Sequence, residues 1–205
     1  MFYVGLDLGQ ARDYTAIVVA EKLPLEGAGP NGHGSEDYEL HIRHMERFKD
    51  VSYPGIVTRM LGLMETPPLR NNAALAVDAT GVGAAVVDML RRSSLVFDAV
   101  TITGGSTETR SDWYSYRVPQ RDLVSTLQVL LQQGRLKIAA GLEHAGTLRA
   151  ELLNFRVKIN AVTAHDSYEA WREGDHDDLV FSACLAGWKA RKGDHGVFIA
   201  FESYS

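Results

Sequence analysis

The sequence predicts an α/β fold: a mixed sheet of about five central strands, an antiparallel meander followed by parallel strands, with helices on both faces. Three observations carry that expectation. Apolar stretches at 2–8, 14–22 and 38–48 follow one another with no helical spacing between them, as in a meander. Later apolar stretches at 72–78 and 96–102 alternate with helical patterns, which implies parallel neighbours covered on both faces. A long final helix opens on acidic residues.

In chain order, FYVGLDLGQARDYTAIVVAEK (2–22) reads as two central strands joined by a short connection, with Gly9 supplying the permissive backbone. Residues 23–36, LPLEGAGPNGHGSE, form a surface loop, and Tyr38 to Phe48 a third antiparallel strand. Ile56, Val57, Met60, Leu61 and Met64 recur at helical spacing from Tyr53 to Met64, and Pro67-Pro68 ends that helix. NAALAVD (72–78) is a short buried strand ending in a carboxylate, followed by Ala79-Thr80-Gly81-Val82-Gly83 and a helix from Ala84 to Arg92.

Val96 to Ile102 is another strand, and the polar segment Thr103 to Tyr116 reads as a loop over one face. Helices from Gln120 to Gln133 and from Leu142 to Asn154 flank the short Leu136-Lys137-Ile138 stretch. Phe155 to Ile159 reads as a strand and Ala161 to Asp175 as an exposed hairpin or loop. The last helix runs from near His176 to about Lys192, with Val197 to Phe201 extended. No repeat or linker divides the chain.

At 205 residues, with 45% hydrophobic and 23% charged residues, the chain suits one globular domain with a single sizeable core. No apolar run reaches the length of a membrane span. The lone Cys184 cannot form an internal disulfide, which fits a reducing compartment, and His, Cys and Glu are not spaced for structural zinc. The net charge of −5 by itself argues against nucleic acid. Setting aside the aspartates discussed next leaves a nearly neutral remainder, so the acidity neither supports nor excludes a phosphate-bearing substrate.

Asp7 is the only charge before Arg12 and sits in a run that otherwise calls for burial. A buried carboxylate is costly unless something pairs with it, and a metal ion is one such partner. Asp78 ends a later strand, Asp177-Asp178 open the final helix, and Asp13 stands across the first turn. Each has a plainer reading. Asp7 can pair with Arg12, Asp78 can cap the next helix, Asp177 and Asp178 suit a helix dipole, Asp13 suits a turn, and His176 a helix start. Together, at the carboxyl ends of neighbouring parallel strands, they make an oxygen-rich cage that selects magnesium or manganese. Two such ions about 4 Å apart activate water and stabilise the leaving oxygen of a phosphodiester.

The order GLDLG…D, AVDATGVGAAVVDML, VPQRDLVSTLQVLLQQGRLKI and GDHDDLVFSACLA resembles the nuclease domain of viral large terminases, the DNA-packaging motors of tailed phages and herpesviruses. The resemblance covers essentially the whole chain. Actin-like ATPases and Holliday-junction resolvases carry strands like GLDLG, whereas HDDLV combined with DATGVG is more specific. The resemblance implies a ribonuclease-H-like fold and a metal-dependent endonuclease that cuts double-stranded DNA during viral genome packaging. It makes Asp7 the ligand shared by two Mg²⁺ or Mn²⁺ ions, with Asp78 and Asp178 as the other catalytic acids. Asp177 and Asp13 become supporting ligands, and His176 an accessory.

It further implies a terminase ATPase domain, a small terminase subunit and a portal ring as partners, in the cytoplasm of a bacterial host. The chain lacks a G-x-x-x-x-G-K-[ST] loop, so residues 1–205 read as a single nuclease domain without the motor. The alternatives are a resolvase-like nuclease or a non-catalytic module docking on DNA or the portal.

A duplex needs cations outside the acidic centre. Arg110, Arg117 and Arg121 flank the polar segment and the helix after it, and Lys137 follows with Arg135. Lys189, Arg191 and Lys192 cluster in the last helix; Trp113, Tyr114 and Tyr116 are candidates to pack on sugars or to anchor the loop. Arg117 and Arg121 are the foremost phosphate contacts. Little here suits base readout, so cleavage is expected to depend weakly on sequence.

Overall fold

Strand β1 (Phe2–Asp7) is buried at every position, as a strand covered on both faces must be. The computed structural model describes residues 1–9, 13–25, 37–81, 83–93, 95–154 and 177–193. Within them β1 pairs antiparallel with β2 (Thr15–Pro24), which pairs antiparallel with β3 (Tyr38–Phe48). After helix α1 (Tyr53–Met64) the chain returns as β4 (Ala73–Asp78), parallel to β1. Helix α2 (Gly83–Arg92) then leads to β5 (Phe97–Thr103), parallel to β4. The meander followed by parallel strands is the expected arrangement, and β5-β4-β1-β2-β3 are contiguous at the sheet's centre.

Three further strands extend the sheet to eight, in the order β6-β7-β5-β4-β1-β2-β3-β8. The segment read as a loop contains β6 (Thr109–Asp112) and leads into β7 (Ser115–Pro119), an antiparallel hairpin whose second strand runs parallel to β5. Every β6 residue is exposed, so no apolar alternation marked it as a strand. Helix α3 (Gln120–Gln132) follows, then β8 (Leu136–Ile138), a three-residue strand parallel to β3 at the other edge. Helices α4 (Ala145–Asn154) and α5 (Asp178–Lys192) complete the described elements. The loop expected from residue 23 begins later, because β2 continues through Pro24. The rest of that loop, 26–36, with the strand expected at 155–159, the loop at 161–175 and the extended piece at 197–201, lies outside the described residues.

Two apolar layers flank the sheet. Tyr3, Ala16, Val18, Leu40 and Ala76 pack with α3, α4 and α5, while Val4, Leu6, Ile17, Val19 and Val77 pack with α1 and α2. Helix α5 lies deepest, with Leu179, Ala183, Leu185, Ala186, Trp188 and Ala190 all buried. Its small residues permit close approach. An ideal Cβ on Gly5 would stand 1.9 Å from the Ser182 carbonyl oxygen, so only glycine lets β1 pass beneath the helix. The Ser182 hydroxyl donates to the Gly5 carbonyl at 2.8 Å, fixing that crossing.

Helix α5 runs antiparallel to β1. Near its carboxyl end, the Ala190 carbonyl accepts from Lys22 Nζ, and the Lys22 amide bonds the Met1 carbonyl beside the start of β1. The amino end of α5, with Asp177 and Asp178, therefore stands over the carboxyl end of β1.

Candidate metal centre

Leu6 pairs with Val77 in the parallel register of β1 and β4. Asp7 and Asp78 are each the next residue, so they end adjacent strands side by side, about 4.8 Å apart at the backbone. Alternation puts both side chains on the α5 face: Asp7 follows Gly5 by two residues, and Asp78 follows Ala76 by two. Both are buried, Asp7 at 8% and Asp78 at 2% exposure. The Asp78 Oδ1 accepts the Thr80 amide at 2.7 Å, which fixes the carboxylate in a tight local turn. Thr80 in turn accepts the Ile102 amide at its hydroxyl, 2.9 Å, tying this turn to β5. Asp78 thus bonds two residues on, and α2 begins only at Gly83.

Helix α5 contributes the other acids. Asp178, one turn before Ser182, is buried, and its Oδ2 accepts from Arg47 Nη2 at 2.8 Å and Nε at 3.2 Å. Asp177 is half-buried at the helix start and makes no side-chain cap bond. Burial, reinforced by the negative charges of Asp177 and Asp7, pushes the Cys184 thiol far above its ordinary range. Buried and pushed up in this way, Cys184 is inert.

The first turn of α5 is capped from elsewhere. Glu151 on α4 accepts the Leu179 and Val180 amides at one carboxylate oxygen, 3.0 and 3.1 Å away. An anion there also suits the helix dipole. Its other oxygen is buried with no hydrogen-bond partner among the described residues, 3.8 Å from Arg47 Nη2. Burial pushes the Glu151 carboxyl up to about 7, against the lowering effect of the helix amides and Arg47.

Asp13 lies elsewhere at the same end of the sheet. It lines a cleft of about 360 Å³ with Gly9, Thr15, Phe48, Lys49 and Tyr53. Thr15 and Phe48 pair across β2 and β3 on the α1 side, the face opposite Asp7. His176 and Arg12 lie outside the described residues.

Among the described residues, no three His, Cys, Asp or Glu side chains already stand together as a metal-holding group. Asp7 and Asp78 converge, while Asp178 is turned to Arg47. The donors on offer are nonetheless oxygens only, largely buried, and held on rigid elements, with one buried Glu151 oxygen making no hydrogen bond among the described residues. That donor set fits a hard divalent cation such as magnesium or manganese.

The expected DNA-contacting cations do not form one patch. Arg110 sits on β6, donates to the Asp112 and Trp113 carbonyls, and stacks on Trp113 and Tyr116. Arg117 is exposed on β7, but alternates with Tyr116 and Val118 and so faces away from α5. Arg121, at the start of α3, donates to the Ser106 carbonyl at 2.7 Å. Lys137 stands apart from these arginines. It pairs with Glu39 at 3.3 Å on β8, and through His41 and Glu21 its register is level with Phe2, the end of β1 away from Asp7. Tyr116 is buried edge-on against Trp188 and so anchors the hairpin, whereas Trp113 is 78% exposed at its tip. Lys189 and Lys192 are engaged with Asp98 and Glu108.

Sequence reasoning missed Arg47 and Glu151. A signal for Arg47 exists: the apolar positions of β3 run 38, 40, 42 and then 45, a break in parity that marks an inserted residue.

A sequence profile described as Terminase RNaseH-like domain matches residues 4–187. Among solved structures, the chain is similar to the large terminase nuclease from thermophilic phage G20c. Identity is 22% and the TM-score 0.59, over 91% of this chain and 80% of that one. The same phage nuclease with bound zinc matches at 22% identity and a TM-score of 0.55, over 91% and 79% of the two chains. A manganese-soaked human cytomegalovirus terminase nuclease domain matches at 12% identity and a TM-score of 0.50, covering 91% of this chain and 81% of that one. No curated protein matches the sequence.

Proposed function

The chain belongs to the terminase RNaseH-like domain family, and on that premise we propose that it is a metal-dependent endonuclease cutting double-stranded DNA during viral genome packaging. The observation that carries this reading is the pair of buried carboxylates, Asp7 and Asp78, ending adjacent parallel strands beneath the acidic start of α5. A carboxylate pair in that position is costly to bury and finds compensation in divalent cations.

When bound, two magnesium or manganese ions supply the Lewis acidity and water activation that phosphodiester hydrolysis requires. In this reading Asp7, beside Asp78 on the α5 face, would be the ligand shared by both ions. Asp78 is held ready by the Thr80 amide. Asp178 and Asp177 would complete the set from the helix, while Asp13, across the sheet from Asp7, is not among them. Arg121 is the foremost phosphate contact, with Arg110 and Arg117 along the same edge of the sheet. The chain works beside an ATPase motor, a small terminase subunit and a portal ring, in the cytoplasm of a bacterial host.

Replacing Asp7 with Asn removes the shared charge at nearly constant shape. Plasmid nicking with Mg²⁺ or Mn²⁺ is expected to disappear, while the circular dichroism spectrum stays that of the wild type. A variant that nicks at the wild-type rate would overturn the assignment.

A further inference from the structure

Asp78, Asp7, Ala16 and Arg47 form one row across four strands. Asp7 pairs with Ala16, Ala16 pairs with Arg47, and Asp78 stands beside Asp7. Ala16 and Met45 face α5, so Arg47, two residues after Met45, faces it as well. A cation is thus built into the same row and face as the strand acids, roughly 10 Å from Asp7 by strand spacing.

That placement depends on one extra residue. Ala20 pairs with Ile42, but Val19 pairs with His44, so Arg43 is a bulge. Up to Ile42 the even-numbered residues of β3 face α5; after the bulge the odd-numbered ones do. Without that change of parity, Glu46 rather than Arg47 would face α5. Bulges beside functional sites commonly re-aim a side chain in this way.

The guanidinium is only 13% exposed and grips a single oxygen of Asp178 with two nitrogens. It lies 3.8 Å from the Glu151 oxygen that makes no hydrogen bond among the described residues, and its carbon stands 3.7 Å from the centre of the Tyr14 ring. Asp178 is therefore committed to a cation supplied by the chain itself. Glu151 and Tyr14 remain as contacts for Arg47 if Asp178 is withdrawn.

We propose that Arg47 is the counter-ion that a divalent metal displaces from Asp178, so that this side chain sets how tightly the acidic centre takes its metal. The inference rests on the metal-centre reading above. It makes Arg47 a positioning residue. The rival role is a staple between β3 and α5, which contributes to stability and has no bearing on metal affinity.

Isothermal titration of the full chain with MnCl₂ separates the two. Arg47→Gln removes the competing charge and is expected to raise Mn²⁺ affinity about tenfold, the scale of a nearby unit charge in a partly screened site. Arg47→Lys keeps the charge without the two-pronged grip and should be intermediate. The gain should vanish when Arg47→Gln is combined with Asp178→Asn, because the competition is for that carboxylate. In thermal melts, the Mn²⁺-induced rise in Tm should be larger for Arg47→Gln than for wild type.

An Arg47→Gln affinity equal to or below wild type overturns the proposal, as does a gain that persists beside Asp178→Asn. Should Arg47→Gln fail to fold, an Arg47→Lys affinity no higher than wild type overturns it instead. Loss of Mn²⁺ binding in Asp78→Asn with no effect of Arg47→Gln sinks the counter-ion role alone. No Mn²⁺ binding by the wild type sinks the metal centre as well.

Discussion

Glu151 commits one carboxylate oxygen to the first turn of α5 and keeps the other buried beside Arg47. Its carboxyl is raised from an ordinary 4.5 to about 7, chiefly by burial. A raised acid in the folded state binds its proton more tightly than the unfolded chain does. Its contribution is fully present below the unfolded pKa and is lost as pH rises through the folded one. The upper limit of that loss is about 3 kcal/mol. Glu151→Gln keeps an acceptor for the Leu179 and Val180 amides and cannot ionise. Thermal melts in EDTA should show the variant gaining on wild type between about pH 5 and pH 8. A constant difference across that range would show that Glu151 does not titrate there. Asp7 and Asp78 were visible in the sequence because a charge inside an apolar run stands out. Glu151 was not, because an acid on a helix of mixed polarity looks like solvated surface.

Helix α5 shows what an element demands of its neighbours. Beneath it, Gly5 has no room for a methyl group, since the obstructing atom is a backbone carbonyl oxygen that cannot rotate away. Gly5→Ala should cost about 3 kcal/mol or more in urea unfolding, as overpacking beside a rigid backbone does. Gly187, within the same helix, is the contrast. A Cβ there meets Leu127, Leu40 and Thr126 at 3.7 to 3.9 Å, ordinary contact distance. Gly187→Ala should be neutral or stabilising by about 0.5 kcal/mol, because it also removes backbone freedom from the unfolded chain. Equal losses in the two variants would mean that α5 does not sit on β1 as described. The meander and the helices from Tyr53, Gln120 and Asp178 were legible from hydrophobic period. The β6 strand was not, because an exposed edge strand buries nothing and leaves no alternation to read.

Across the whole molecule, the cations expected to meet DNA are split between the two edges of the sheet. From β7 to β8 there are six strand spacings in the sheet order, roughly 29 Å. Arg121 lies at the edge where β7 passes into α3, and Lys137 lies across the sheet and level with the far end of β1. One duplex seated over Asp7 and Asp78 can reach the first and not the second. Arg121→Ala should weaken binding of a short duplex several-fold and lower the salt slope by about one. Lys137→Ala should leave both affinity and slope unchanged. Fluorescence anisotropy at several salt concentrations measures both, and equal effects of the two substitutions would place the duplex elsewhere.

The sequence by itself determined the α/β class, the meander followed by parallel strands, and the placing of acids at Asp7, Asp78 and Asp177-Asp178. Those follow from period, burial and the expense of a charge in an apolar strand, all local properties of the chain. The expected neighbouring of Asp7 and Asp78 is met in the register, but tertiary structure alone decided that Asp178 is held by Arg47. It also set Lys137 apart from the other cations. Each of these is a matter of which residues stand opposite one another across strands, and the bulge at Arg43 shows why. A single inserted residue reverses which face every later side chain of β3 meets, and only the register reveals which partner that brings.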